Sequence, residues 1–152
     1  MIDPGLRDLY QEVILDHGRH PRHFGTLADA SHEAQGHNPL CGDRVHLYLK
    51  VGEDGRVADV AFEGKGCAIS VASASMMTDL ILGKPVDEAR ALAQAFYHLA
   101  KGDAPDGSVP PDDLDRLEVM SGVSQFPMRV KCATLAWHTF EAALDGKEAT
   151  SE

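Results

Sequence analysis

Three cysteines are the residues of this chain best suited to chemistry, and they are far apart in the sequence. Cys41 lies in the turn-forming segment NPLCGD, Cys67 ends the segment GKGC, and Cys132 lies near the start of the last predicted helix. Each thiol is therefore predicted at a junction between elements, where a scaffold presents functional groups and glycine permits close backbone approach. Because thiolates bind metal ions and attack sulfur, both kinds of chemistry are open to this chain.

The spacing of the cysteines does not decide between a chemical and a structural role. No pair has CxxC spacing, and free cysteines are often buried as inert hydrophobic residues. An odd number of widely separated cysteines argues against a disulfide framework and favours reduced thiols. A cysteine hydrolase is a further interpretation, with His37 or His46 as the base for Cys41, but no oxyanion motif supports it.

The elements that position these cysteines follow from hydrophobic periodicity. The spacing of apolar residues predicts a first helix over residues 6–15, closed by a glycine and a proline. Alternation of apolar and polar residues predicts strands over 45–51 and 57–63, which a Gly-Glu-Asp-Gly turn joins into a β-hairpin. Residues 33–37 form a weaker candidate for a further strand.

The second half of the chain is predicted to be helical. Helical faces are expected over residues 69–80, from 87 to Gly102, over 112–120 and from Pro127 to Gly146, with an exposed turn-rich loop at 103–111. Strands come before most of the helices, so the order favours an α+β fold over a doubly wound sheet.

Length and composition exclude several classes of function. A chain of 152 residues fits one domain, expected to span residues 1–152. A formal net charge of −10, without a basic stripe, argues against nucleic-acid binding. No apolar run is long enough for a membrane span, and the amino terminus lacks the pattern of a secretory signal, so a cytoplasmic protein is expected.

The segments around the cysteines closely resemble one family. NPLCGD, GKGCAISVASASMM and RVKCATLAW, together with the opening LYQEVILDHGRHPRHFG, are similar to the U-type iron-sulfur cluster assembly family of IscU, SufU and NifU amino-terminal proteins. This resemblance implies a small antiparallel sheet of about three strands packed against helices. It also implies a site formed by Cys41, Asp43, Cys67 and Cys132, which holds zinc, or iron in a transient cluster.

Departures from the IscU branch place the resemblance closest to SufU. Lys131 stands where IscU has a histidine, residues 125–131 lack the LPPVK chaperone-binding motif, and residues 103–125 look like a SufU-type insertion. A dedicated Hsp70 partner is therefore not expected. Three thiolates and one carboxylate would give a tetrahedral site with a net charge of about −2, which Lys65, Arg129 and Lys131 are candidates to offset.

The function implied by the resemblance is sulfur handling for cluster assembly. A pyridoxal-phosphate cysteine desulfurase of the SufS type would pass persulfide sulfur to Cys41, which makes the chain an accessory protein more than a stand-alone enzyme. One alternative is a scaffold that builds a [2Fe-2S] cluster and passes it to apo iron-sulfur proteins or downstream assembly proteins. A second alternative is a module in which zinc only holds the fold.

Overall fold

The described part of the chain contains one sheet and five α-helices. In the computed structural model the described residues are 4–39, 42–103, 107, 109–147 and 149–151, with side chains described for all of these except 4–9, 125, 149 and 151. Within these ranges the elements follow in this order: α1 (Pro4–Arg19), β1 (His32–Asn38), β2 (Asp43–Val51), β3 (Val57–Lys65), α2 (Ala68–Ile81), α3 (Val86–Ala100), α4 (Pro111–Leu117), a 3₁₀ helix (Glu118–Gln125), α5 (Pro127–Leu144) and β4 (Ala149–Ser151).

The sheet has the strand order β3-β2-β1-β4 among the described residues. The first three strands are antiparallel, which confirms the α+β fold with a small antiparallel sheet and the weaker prediction for β1. The short strand β4 pairs parallel to β1 and was not predicted. At one end of the β1–β2 ladder Asn38 lies opposite Asp43, and at the same end of the sheet Arg44 lies opposite Lys65.

One face of the sheet forms the core with α5 and α2. Alternate residues of β2 point inward, and Leu47 and Leu49 are fully buried with Phe62 of β3. Trp137 of α5 lies beneath them and stacks on Phe96 of α3, with ring centroids 5.4 Å apart. Burying a side chain of this size stabilises a fold by roughly 1.5–3 kcal/mol.

A close approach between β1 and α5 sets the position of the last helix. A Cβ atom at Gly36 would overlap the hydroxyl of Thr139, so glycine lets the helix lie directly on the strand. The Thr139 hydroxyl donates instead to the carbonyl of Leu135 at 2.7 Å. This contact places the first turns of α5 over the end of the sheet at which β2 begins.

The amino-terminal helix is held on α2 by polar contacts. The Ser75 hydroxyl accepts a hydrogen bond from the Arg22 amide at 2.8 Å and lies 2.7 Å from Nδ1 of His17. Burial is the main cause that lowers the pKa of His17, and the neutral ring can accept the Ser75 proton. His23 approaches Asp79 at 3.1 Å on the same face of α2.

The segment predicted as an insertion folds as α4 and the 3₁₀ helix. The predicted helix over 112–120 is present, although it changes to 3₁₀ geometry at Glu118. Lys84 pairs with Asp113 at 3.0 Å and ties α4 to the turn that precedes α3. Part of the predicted loop at 103–111 lies outside the described residues. No helix of the described residues has the length and apolar character required to span a bilayer.

Candidate metal centre

Three of the four residues predicted for the site meet at one point. Asp43, Cys67 and Cys132 each present a ligand atom, and these atoms lie within 4.8 Å of one another. The three residues come from the first position of β2, the N-cap of α2 and the second turn of α5. Cys41, the fourth predicted residue, lies outside the described residues.

Asp43 is buried and its carboxylate is held from two sides. Oδ1 accepts a hydrogen bond from the backbone N–H of Cys67 at 3.0 Å, and Oδ2 accepts one from the side-chain amide of Asn38 at 3.3 Å. The N–H that reaches Oδ1 belongs to the residue that precedes α2, where the positive end of the helix dipole also favours a carboxylate. Two donors therefore hold the carboxylate in one orientation.

Gly66 lets the chain pass close to that carboxylate. Its φ is +145°, a conformation that side chains other than glycine rarely adopt. A Cβ atom at this position would overlap the Asp43 carboxylate and lie 3.0 Å from the Asp43 Cα atom. The glycine before Cys67 is thus required both by the backbone and by the space that Asp43 occupies.

The two described cysteines differ in exposure. Cys67 is partly exposed at the N-cap of α2, where its carbonyl accepts the N–H of Val71 at 3.2 Å. Cys132 is fully buried, and its sulfur lies 3.7 Å from the carbonyl of Met128 and 3.8 Å from the Asn38 amide. Cys67 therefore faces the outside of the site, and Cys132 forms its inner wall.

Of the three cations proposed to offset the charge of the site, Arg129 contacts the sulfurs. Its pKa is raised because its guanidinium hydrogen-bonds to Cys132 and also lies beside Cys67. Lys131 instead lines a separate cleft together with Tyr97 and His138. An exposed guanidinium on the outer side of the site is well placed to offset the negative charge of two thiolates.

Two large apolar side chains are exposed at the start of α5, close in the chain to Arg129 and Cys132. Phe126 and Met128, on either side of the first residue of α5, are 61% and 62% exposed. Phe126 and Arg129 also line a groove of about 660 Å³ that runs between α1, α2 and the 3₁₀ helix. We call Phe126 and Met128 the apolar rim. Exposed apolar side chains next to a reactive site are typical of a surface that meets a partner.

Sequence reasoning missed Asn38 and the apolar rim, and of Gly66 it predicted only a close backbone approach near Cys67. The segment NPLCGD indicates a turn at Asn38, and its contact with Asp43 has no local signal because it depends on the pairing of β1 with β2. Gly66 carried a signal, since it precedes a cysteine in a glycine-rich junction. The exposure of Phe126 carried none, because an apolar residue before a helix usually packs inward.

The donor set suits zinc. Two thiol sulfurs and one carboxylate, close together and oriented by hydrogen bonds, are ligands that a tetrahedral zinc site uses. With three protein ligands, such a site has one further position, which another thiolate, a water molecule or a substrate can take. The residues present therefore fit a zinc ion.

Comparison with known protein families gives a match over most of the chain. Residues 9–133 match the model of the NifU-like N terminal domain. The zinc-dependent sulfurtransferase SufU of Bacillus subtilis (strain 168) is 44% identical over 143 residues, which cover 94% of each chain. The iron-sulfur cluster assembly scaffold protein IscU of Streptococcus pyogenes serotype M1 is 42% identical over 139 residues, which cover 91% of this chain and 84% of that one.

Solved structures show the same fold. The crystal structure of a nitrogen-fixing NifU-like protein (N-terminal) from Brucella abortus matches with a TM-score of 0.80 and 30% identity. The match covers 93% of this chain and 95% of that one. Sequence and structure thus point to the same group of proteins.

Proposed function

This chain belongs to the family of NifU-like N-terminal domains, and we propose that it accepts sulfur for iron-sulfur cluster assembly at a zinc centre. The proposed ligands are Cys41, Asp43, Cys67 and Cys132, and the proposed sulfur acceptor is Cys41. The observation that carries the proposal is the convergence of Asp43, Cys67 and Cys132 within 4.8 Å. Relatives include a zinc-dependent sulfurtransferase and cluster assembly scaffolds, which are the two activities that such a site suits.

The chain's own residues prepare the centre. Zinc, when bound, would keep the cysteine ligands deprotonated and restrained. Asp43 is held in place by Asn38 and by the Cys67 N–H, and Arg129 offsets part of the negative charge from outside. The inner position of Cys132 and the outer position of Cys67 leave the rim side as the approach for a substrate.

The proposed reaction is a sulfur exchange without net oxidation. The Cys41 thiolate attacks the outer sulfur of a persulfide on a partner cysteine, and a new S–S bond forms on Cys41. The S–S bond in the partner breaks, and its electron pair leaves with the partner cysteine as a thiolate. Cys41 must be off the metal during this attack, while Asp43, Cys67 and Cys132 keep their places.

The proposed partner is a pyridoxal-phosphate cysteine desulfurase of the SufS type. The apolar rim supports a contact at this side of the site, since Phe126 and Met128 are exposed where the substrate would arrive. Apo iron-sulfur proteins or downstream assembly proteins would receive the product. Reduced thiols are required throughout, so we place the reaction in the cytoplasm.

We assign residues 1–152 to one domain of the SufU branch. The segment 103–125 carries α4 and the 3₁₀ helix, and both pack against α3. The relative with 44% identity is a SufU, which supports this branch for the chain.

A sulfur-transfer assay tests the proposal. The chain, loaded with zinc, is mixed with a cysteine desulfurase and cysteine, and peptide mass spectrometry after alkylation and digestion measures the added sulfur on each cysteine. We expect Cys41→Ala to lose sulfur acceptance and stimulation of the desulfurase, and to retain a folded chain with weaker zinc binding. Transfer of sulfur to the Cys41→Ala variant at the wild-type rate would contradict the assignment of Cys41.

A cluster scaffold is the second candidate function. Its support is the similarity to relatives such as the Streptococcus pyogenes protein, which is a cluster assembly scaffold. Anaerobic reconstitution with iron and sulfide should then give the visible absorption of a [2Fe-2S] cluster, and transfer to an apo-protein should be faster than loss to solution. Asp43→Ala should prolong the life of such a cluster, because the oxygen ligand is the point at which it is most easily released.

A further inference from the structure

Asn38 lies at the inner edge of the metal centre, although it is not one of the proposed ligands. Its side chain is fully buried. The amide nitrogen lies 3.3 Å from Oδ2 of Asp43 and 3.8 Å from the sulfur of Cys132. One amide group thus contacts the carboxylate and one of the two described sulfurs at the same time.

The chemistry of the two neighbours fixes the orientation of the amide. A carboxylate and a thiolate are both acceptors, so the NH₂ group must face them, and the carbonyl oxygen must point away. That oxygen is buried without a hydrogen-bond donor among the described residues. Since an unpaired buried oxygen costs stability, the fold alone does not explain an asparagine here. The two hydrogen bonds to the site do explain it.

Asn38 also distinguishes the two sulfurs. Arg129 reaches both Cys132 and Cys67 from the outside. In the described contacts, the Asn38 amide reaches Cys132 and does not reach Cys67. A hydrogen bond to a thiolate withdraws electron density from sulfur, which makes it a weaker nucleophile and changes its bond to a metal.

We propose that Asn38 is a positioning residue that makes Cys132 the fixed, unreactive sulfur of the centre and orients Asp43 beside it. Cys132 then anchors the metal from within, and incoming sulfur is directed to the other cysteine ligands. This inference rests on the proposed metal centre, because it assigns different roles to ligands of that centre. It adds Asn38 as a residue that contacts two of the ligands from the inner side of the site.

Two variants and one control test the role. Asn38→Leu keeps a similar volume and removes the donor, and Asn38→Asp keeps the shape and replaces the donor with an acceptor. Gln35→Ala is the control, since Gln35 is an exposed amide on the same strand. Circular dichroism checks the fold of each variant, and the second Asn38 variant carries the test if the first does not fold.

The first measurement is zinc affinity by competition with a coloured chelator. We expect both Asn38 variants to bind zinc about 10- to 100-fold more weakly than the wild type, as is usual for residues that support metal ligands. The second measurement uses Co²⁺ in place of zinc and records the sulfur-to-cobalt charge-transfer band. We expect this band to shift to lower energy in Asn38→Leu, because Cys132 becomes a stronger donor. Gln35→Ala should change neither.

The outcomes separate the inference from the function on which it rests. Wild-type zinc affinity in both folded variants would overturn the inference. Weaker zinc binding with an unchanged charge-transfer band would also overturn it, because that result indicates a purely structural role for Asn38. If the wild type itself shows no sulfur-to-cobalt band, the proposed metal centre fails, and the inference fails with it for that separate reason.

Discussion

Replacing Gly66 with alanine should disable the metal centre through one added methyl group. Gly66 connects β3 to α2 at a φ of +145°, and its Cα–H faces the side chain of Asp43. The new Cβ atom would overlap the carboxylate and lie 3.0 Å from the Asp43 Cα atom. The Asp43 Cα atom belongs to the backbone and cannot move aside, but the Asp43 carboxylate can rotate. The carboxylate must therefore turn away from the Cys67 N–H and from the sulfurs.

The expected magnitude has two separable parts. A non-glycine residue in this backbone conformation costs about 1–3 kcal/mol in the free energy of unfolding. Turning Asp43 away should weaken zinc binding by at least about 10- to 100-fold, the range found when metal ligands lose their supporting contacts. That range corresponds to about 1.4–2.7 kcal/mol of binding free energy.

Gly55→Ala is the matched control. Gly55 also has a positive φ, +78°, but a Cβ atom there would meet no atom within 4 Å. The control therefore carries backbone strain alone. Urea unfolding of the metal-free chains should show a loss of stability in both variants, and chelator competition should show weaker zinc binding in Gly66→Ala alone. Wild-type zinc affinity in a folded Gly66→Ala variant would refute the role given to Asp43 and the geometry of this junction.

Three further predictions concern charge, pH and the metal itself. Arg129→Gln should weaken zinc binding, since the Arg129 guanidinium contacts the sulfurs. Lys131→Gln should leave zinc binding unchanged, and chelator competition at low salt measures the zinc affinity of both variants. Burial lowers the pKa of His17 from 6.5, so the folded chain binds this proton less tightly than the unfolded chain, and the free energy of unfolding should fall as pH drops below that value. His17→Gln should flatten this dependence in urea titrations. Chelation of zinc should lower the midpoint of thermal unfolding and leave the chain folded, whereas complete unfolding would favour the purely structural zinc module.

Most of the fold could be predicted because its elements carry periodic patterns. Alternation in β2 gave a buried face that the structure confirms at Leu47 and Leu49. Strand β4 could not be predicted in this way, since three residues are too few to show a period and a pairing with the distant β1 leaves no local signal. The change to 3₁₀ geometry at Glu118 has no comparable signal in the sequence.

The site was predictable only in part from the residues themselves. The spacing of the cysteines left inert thiols open, and resemblance to a family supplied the ligand set. Helix geometry could have shown which of Arg129 and Lys131 reaches the Cys132 sulfur, because residues three apart share a face of a helix and adjacent residues do not. Arg129 is three positions before Cys132 and contacts it, as this rule predicts. Asn38 could not be found, since its contact depends on strand register.

In the proposed reaction, the arrangement of the centre would give sulfur transfer a direction. Asp43 and Cys132 are sealed against the sheet and α5, and Cys67 is partly exposed beside the apolar rim. A persulfide on a protein partner is attached to a bulky surface, so it can reach the centre only from the exposed side. Ligands on that side must exchange for sulfur to enter, while those on the inner side must hold the metal. If the chain transfers sulfur as proposed, the residues that reinforce the inner side are needed to hold the metal while the accepting cysteine reacts.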